Sequence, residues 1–280
     1  MFDNEILGVN GLEGGRDALW LAQQLAFPDA RLTLAHVQVV GPKPDPTSGA
    51  VSLAGEALRA MERLALLRAE AHVDARLLCA EAGSVAAGLH ELVARHGGDV
   101  LVIGASRRDD YERTFVGDDE RAVLENAPCP VAIAPRGHAR RAPAFRKIGA
   151  AYDGSPESEQ ALALARMLAR ERGAELAAFQ AVREPVTHSL VDPQPEIDRA
   201  VAEARKRIAE LGDVEAHAAA SDDDAETLAR YGASVDLLVL GSHRYRPIDH
   251  LLSGSTAQRL ADVAPCPLLV LGDQRVTRTT

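Results

Sequence analysis

Small and acidic residues follow two apolar runs in the second half of the sequence. Residues 147–152 are followed by Asp153-Gly154-Ser155, and residues 236–240 are followed by Gly241. Both runs are predicted strands, and ligands of open α/β sheets bind beyond the carboxyl ends of the strands. If these two strands are neighbours, their ends form one crevice, in which Gly241 would allow a tight turn and a close approach of the backbone.

A second set of candidates precedes a predicted helix. Gly254-Ser255-Thr256 comes directly before residues with helical apolar spacing, so backbone N–H groups and two hydroxyls can face an anion there. The loop is not a Walker A sequence, because no GxxxxGK[ST] pattern occurs. The alternative interpretation is that Gly241 and Gly254 are only turn and helix-start residues.

The elements that must position these residues alternate between strand and helix. In the second half, strands are predicted at residues 147–152, 175–182, 214–219, 236–240 and 267–271. Helices are predicted from Pro156 to about Gly173, over residues 196–211 and from the start Ser221-Asp222-Asp223-Asp224, with an irregular loop over residues 185–195. This alternation predicts an α/β fold with a parallel sheet flanked by helices.

The chain also contains an internal repeat. Asp99-Val100-Leu101-Val102-Ile103-Gly104 recurs as Asp236-Leu237-Leu238-Val239-Leu240-Gly241. Gly117 recurs as Gly254 and the Ala-Pro-Cys-Pro segment at 127 recurs at 264, all with one offset of 137 residues. A polar Gly/Pro/Arg stretch at 135–143 separates the halves and is predicted to be a linker. The sequence therefore predicts one domain duplicated, with a first domain at 1–137 and a second at 144–280.

Composition and charge argue against several classes of partner. A net charge of −10 over 280 residues argues against a nucleic-acid partner. No apolar stretch reaches the roughly 18–20 residues of a membrane-spanning helix, and the N-terminus lacks an export signal, so we expect no membrane partner and a cytoplasmic location. The three cysteines form no CxxC and the nine histidines no HExxH, so we expect structural thiols and no metal site. High Ala and Arg usage is compatible with a GC-rich bacterial genome.

Asp153-Gly154-Ser155, the loop from Gly241 to Thr256 and the Ala-Pro-Cys-Pro strand resemble the universal stress protein family. The resemblance covers essentially the whole chain as two tandem domains. It implies two doubly wound domains, each with a five-stranded parallel sheet flanked by helices. It also implies that the halves pack about a pseudo-two-fold axis through their last strands, and a further homodimer is compatible with it.

The resemblance implies an adenine-nucleotide site in the second half. Family members that bind ATP use the equivalents of Asp153 near the nucleoside and of Gly241, Gly254, Ser255 and Thr256 around the phosphates. Residues Gly154 and Ser155 complete the turn after the first strand, and Ala181 of the second strand would lie against the adenine. Mg²⁺ bridging the phosphates is compatible with this site, held mainly by the ligand and water.

Arg244 stands where the family's loop has its middle glycine. It could reach the phosphates, or it could mark a site in which the close approach of backbone and ligand is lost. Arg107 occupies the same repeat position in the first half. Replacing Arg244 with Gly separates the two readings, since weaker ATP binding indicates a clamp and tighter binding an obstruction.

The first half departs further from the family pattern. Asn10 stands at the position of Asp153, and Gly117 is followed by Asp118-Asp119-Glu120. At an effective dielectric near 20, two unit charges 4 Å apart repel by about 4 kcal/mol, and by less when exposed. These carboxylates suit a helix N-terminus but oppose a polyanion, so we expect no triphosphate in the first half.

The sequence thus predicts a tandem universal stress protein that binds an adenine nucleotide (ATP, ADP or AMP) in its second half and acts as a stress sensor or regulator with an unknown regulatory protein partner. No general base with an orienting partner is evident, so no catalytic residue is assigned and any ATP hydrolysis should be slow. A nucleotide-free interaction protein of the same fold is the alternative. An ATP-using enzyme is disfavoured, because its usual phosphate signatures are missing.

Overall fold

The computed structural model of the chain describes residues 2–40, 49–105, 117–141, 144–183, 193–241 and 256–272. The chain divides into two compact units, Met1–Ala142 and Pro143–Thr280. The repeat found in the sequence therefore corresponds to two structural units, each with five parallel strands.

The first unit alternates strands and helices through its length. Its strands are β1 (Phe2–Gly8), β2 (Ala26–Val39), β3 (Ala75–Ala82), β4 (Val100–Gly104) and β5 (Val131–Ala134). Its helices are α1 (Leu12–Leu25), α2 (Gly49–Glu70), α3 (Val85–His96), α4 (Gly117–Leu124) and α5 (His138–Arg141). The strands are parallel and lie in the order β3-β2-β1-β4-β5.

The second unit repeats this pattern. Its strands are β6 (Lys147–Ala151), β7 (Glu175–Arg183), β8 (Glu215–Ser221), β9 (Leu237–Gly241) and β10 (Leu268–Leu271). Its helices are α6 (Pro156–Arg172), α7 (Gln194–Ala209), α8 (Asp224–Gly232) and α9 (Thr256–Val263). The strands are again parallel, in the order β10-β9-β6-β7-β8. The predicted α/β fold, with a five-stranded parallel sheet in each half, is confirmed.

The central strands form the core of each unit. The first four residues of β4 and of β9 are buried, as expected for parallel strands covered by helices on both faces. The predicted strands and helices of the second half occur within one to two residues of their expected positions. Most of the predicted loop at 185–195 lies outside the described residues.

The predicted linker contains a short helix that is fixed to the first unit. The buried Asp17 of α1 accepts hydrogen bonds from the backbone N–H groups of Gly137 and Ala139, both at 2.8 Å. His138 is buried beside them, and this burial lowers its pKa to about 4. The stretch from Gly137 to Arg141 is therefore part of the fold of the first unit rather than a free connection.

Aromatic side chains pack between helix α8 and strand β7 of the second unit. Tyr231 of α8 stacks on Phe179 of β7 with the ring centroids 4.6 Å apart. Gly149 of β6 leaves room for this ring, because a Cβ there would lie 2.9 Å from Cε1 of Tyr231. The Tyr231 hydroxyl is buried and has no hydrogen-bond partner among the described residues, so the ring contributes packing while its hydroxyl contributes no hydrogen bond.

Tyr231→Phe should leave the free energy of unfolding unchanged or raise it by up to about 1 kcal/mol, because it removes a buried hydroxyl that has no partner. The control Tyr231→Leu loses the stacked ring. It should lower the free energy of unfolding by more than about 1 kcal/mol, because a buried aromatic pair contributes stability of that order. Urea denaturation followed by circular dichroism measures both. A loss of stability in Tyr231→Phe as large as in Tyr231→Leu would show that the hydroxyl is paired in solution.

Candidate functional site

The two strands whose ends carry the candidate residues are neighbours. In the second unit β6 pairs in parallel with β9, with Ile148 opposite Leu237 and Ala150 opposite Val239. The chain order reverses between these strands, since β7 and β8 extend from one side of β6 and β9 and β10 from the other. Asp153 and Gly241 therefore stand at the point of the sheet edge where α/β proteins bind ligands.

The turn after β6 is built by its own side chains. Gly154 has φ +82, a left-handed conformation that glycine adopts without strain. The Asp153 carboxylate accepts a hydrogen bond from the backbone N–H of Ser155 at 2.9 Å. The Ser155 hydroxyl in turn accepts from the N–H of Ser158 at 3.2 Å and caps α6, as the sequence predicted.

Ser158 is a structural member of this turn that sequence reasoning missed. Its buried hydroxyl donates to the carbonyl of Ser155 at 2.9 Å and lies 3.3 Å from the backbone N–H of Asp153, which donates to it. Ser158 thereby joins the end of β6 to the first turn of α6. The sequence feature that could have indicated this role is the spacing of the two serines. Ser158 stands three residues after the N-cap Ser155, where polar side chains often bond back to the residues before the helix.

Tyr152 precedes the turn and is held as a protonated phenol. Its hydroxyl donates to the Glu159 carboxylate at 2.5 Å, and this hydrogen bond is the main cause that raises the pKa of Tyr152 to about 12.

His217 is the one histidine of the second unit among the described residues. It lies on β8 beside Glu215, the first residue of that strand. Tyr152 therefore offers no base at neutral pH at the carboxyl edge of β6 and β9, and His217 lies on another strand.

Gly241 has a packing role that is independent of any ligand. A Cβ at this position would lie 2.5 Å from the carbonyl oxygen and 2.8 Å from the Cβ of Glu157, in the first turn of α6. Both atoms belong to the rigid part of the helix, so neither can move aside cheaply. The first unit repeats this contact, since a Cβ at Gly104 would lie 2.2 Å from the carbonyl oxygen of Gly14.

Ala181 and Thr256 are the other predicted site residues with a described position. Ala181 lies near the carboxyl end of β7, opposite Ala219 of β8, and is partly exposed. Thr256 is the first residue of α9 and is also partly exposed. The remaining predicted residues, Arg244, Gly254 and Ser255, lie outside the described residues.

An ion pair joins α9 to the beginning of α8. One carboxylate oxygen of Asp223, the N-cap of α8, accepts from the N–H of Ala225 at 3.0 Å and of Glu226 at 3.4 Å. Its other oxygen binds the guanidinium of Arg259, which lies within the first four residues of α9. This guanidinium is the main cause that lowers the pKa of Asp223. Sequence analysis placed Asp223 at a helix start but gave no role to Arg259.

The first unit differs from the second at the starts of α1 and α4. Gly11 has an extended backbone with φ −142 and makes no side-chain cap, and α1 begins at Leu12 without an equivalent of the Asp153 turn. Helix α4 begins at Gly117, so that residues 118–120, all acidic, form its first turn. Negative charge is generally favourable at this end of a helix.

The comparisons with known proteins agree with this architecture. A family model described as "Universal stress protein family" matches residues 1–135 and 144–272, which is nearly the whole chain. The chain belongs to the universal stress protein family. Both units of this universal stress protein are therefore family domains in tandem.

Individual universal stress proteins resemble the chain over different lengths. A universal stress protein of Mycobacterium tuberculosis is 27% identical over 283 aligned residues, covering 95% of each chain. One from Thermus aquaticus is 34% identical over 142 residues, covering 45% of this chain and 98% of the relative. The crystal structure of a universal stress protein from Archaeoglobus fulgidus covers 96% of this chain and 98% of its own, with 16% identity and a TM-score of 0.63.

The other groups considered in the sequence do not add to the site. Burial raises the pKa of Cys129 and of Cys266 to about 12, so both thiols are protonated at neutral pH, as structural cysteines are. Within the described ranges no group of three or more His, Cys, Asp or Glu side chains could hold a metal ion. No helix in the described part of this universal stress protein is long and apolar enough to cross a membrane.

Gly241→Ala should lower the free energy of unfolding by about 1–3 kcal/mol, because the added methyl group overlaps the first turn of α6. Gly83→Ala is the matched control, since a Cβ there meets no atom within 4 Å. Urea denaturation of both variants checks the difference. Equal stability of the two variants would show that α6 withdraws from Gly241 at little cost.

Proposed function

We propose that the second unit binds an adenine nucleotide. The nucleoside would lie at Asp153 and Ala181, and the phosphates at the start of α9, on Gly254, Ser255 and Thr256, with Arg244 and Gly241 beside them. The proposal rests above all on the adjacency of β6 and β9, which puts the Asp153 turn and the end of β9 on one crevice. Family membership and the preserved Gly-Ser-Thr sequence support it.

The first unit is proposed to be without a triphosphate. Its first strand is followed by Asn10 and an extended Gly11, and the sequence has three acidic residues at 118–120, at the start of the helix that would face the phosphates. Carboxylates at those positions would favour the helix N-terminus themselves and would repel an approaching anion. One nucleotide for each chain is the expected stoichiometry.

The bound nucleotide would act as a signal rather than as a substrate that is turned over rapidly. The described residues at the sheet edge supply hydrogen-bond partners and a helix N-terminus, whereas Tyr152 stays protonated and His217 lies elsewhere. Any hydrolysis should therefore be slow, and Mg²⁺ would be held mainly by the phosphates and water. We propose a cytoplasmic regulator whose protein partner reads the nucleotide state.

A nucleotide-free interaction protein is the second candidate function. It is favoured by one observation, the contact of Gly241 with Glu157, because this contact accounts for the glycine without a ligand. The same contact occurs at Gly104 in the unit whose loop is acidic, so the glycine by itself does not separate the two functions. The Asp153 turn and the Gly-Ser-Thr sequence, which the first unit lacks, favour the nucleotide.

Protein purified without added nucleotide should release about one adenine nucleotide per chain on denaturation. Chromatography and mass spectrometry of the released material, with the protein concentration measured by amino-acid analysis, give the identity and the ratio. Two nucleotides per chain would contradict the proposed emptiness of the first unit. No release, together with no binding at millimolar ATP, would instead support the nucleotide-free function.

Ser255→Asp should weaken ATP binding at least tenfold, or by about 1.4 kcal/mol, because it gives the second loop the acidic residue that the first loop has at Asp118. Ser255→Ala is the control that removes the hydroxyl without adding charge, and it should have the smaller effect. Isothermal titration calorimetry of nucleotide-free protein measures both affinities. Unchanged binding in Ser255→Asp would place the phosphates away from α9.

A further inference from the structure

The ion pair between Asp223 and Arg259 joins two residues that the first unit does not repeat at the equivalent positions. By the repeat offset, Arg259 corresponds to Ala122 of α4, and the N-cap of α3 that corresponds to Asp223 is Ser84. The first unit therefore has neither charge of the pair. Its α3 and α4 are joined at a different place, where the His90 ring lies 2.8 Å from the carbonyl oxygen of Val123.

The position of Arg259 is unusual for a cation. The N-terminal turn of a helix carries a partial positive charge, so an arginine there is unfavourable unless an anion compensates it. Asp223 supplies that anion, and its carboxylate is fixed in turn by two backbone N–H groups of α8. The Arg259 guanidinium therefore binds a carboxylate whose position is fixed by the backbone of α8. Through this ion pair the first turn of α9 is connected to the start of α8.

We propose that Arg259 is a positioning residue for phosphate binding, held by Asp223 so that the N-terminus of α9 is fixed in the orientation that receives the phosphates. This inference rests on the proposed function of the second unit. Both residues are needed for this role. Without Asp223, Arg259 loses its hydrogen-bonded anion and keeps only the more distant charges of Glu226 and Asp224, and without Arg259 the Asp223 carboxylate no longer joins α8 to α9. In the first unit, which is proposed to hold no triphosphate, the equivalent positions are Ser84 and Ala122, so the sequence does not repeat the pair.

A purely electrostatic role gives opposite predictions for the two residues. If the charges acted only through the field at the phosphates, Arg259→Ala would weaken ATP binding, Asp223→Ser would strengthen it, and the effects would add. If the pair positions α9, both substitutions weaken ATP binding, and the double variant binds no worse than the weaker single variant. Both substitutions install the residue of the first unit, and serine keeps α8 capped as it caps α3.

The test is a double-mutant cycle of ATP and adenosine affinities, measured by calorimetry on the full chain freed of nucleotide. We expect about fivefold weaker ATP binding in each single variant and in the double variant, which is the size for a partly exposed ion pair. Adenosine, which has no phosphate, should bind within twofold of the wild type. Arg230→Ala is the matched control, because this arginine of α8 bonds only to Thr227 of the same helix among the described residues and should leave ATP binding unchanged.

Hydrogen exchange adds a readout that does not depend on ligand. Amides of residues 260–263 should exchange about fivefold faster in Arg259→Ala and in Asp223→Ser than in the wild type or in Arg230→Ala. Unchanged exchange, or opposite effects of the two substitutions on ATP affinity, would overturn the positioning role while leaving nucleotide binding intact. A wild-type protein that binds neither ATP nor adenosine would overturn the proposed function itself, and the positioning role with it.

Discussion

Each unit depends on a contact between the first turn of its first helix and the glycine that ends its fourth strand. At Gly241 and Gly104 there is no space for even one methyl group against the facing helix backbone. The contact fixes how far α6 advances toward the end of β9, and with it the turn that carries Asp153 and Ser155. The arrangement of Asp153, Ser155 and Gly241 is thus set by packing, before any ligand is considered.

The two units use this common frame in different ways. In the second unit the turn after the first strand is stabilised by Asp153, Ser155 and Ser158, and a cation in α9 is compensated by Asp223. In the first unit the corresponding helix begins without a side-chain cap, and the sequence has three acidic residues at 118–120, at the start of α4. Duplication followed by divergence at two helix starts has therefore given the units different charges at the positions that the proposed function assigns to the phosphates.

Most of the fold could be predicted from the sequence, because the patterns that indicate its strands and helices are local. Apolar runs bounded by Gly, Pro and Asp predict buried parallel strands, and Ser155-Pro156 and Gly173 mark the ends of α6 where the structure has them. The constant repeat offset fixed the duplication. The turn chemistry of Asp153 and Ser155 was also accessible, since caps depend on neighbours in the chain.

Contacts between residues far apart in the chain could not be predicted from local sequence patterns. Nothing in the local pattern connects Asp17 with Gly137 or Asp223 with Arg259, because these pairs are 120 and 36 residues apart and meet only through the packing of helices. For the same reason the linker was read from composition alone, and the short helix α5 within it was missed. The packing role of Gly241 likewise depends on the path of α6 rather than on its neighbours in sequence.

The docking of α5 on α1 changes where the first unit can be separated from the second. The family match of the first segment ends at residue 135, before the backbone groups that satisfy the buried Asp17 carboxylate. A first unit expressed alone and cut there would lose both donors to Asp17, which is 3% exposed in the intact fold, and would leave its carboxylate without these hydrogen bonds. An expression boundary after Arg141 keeps the donors in place, so the structural end of this unit lies several residues beyond the end of its recognisable sequence.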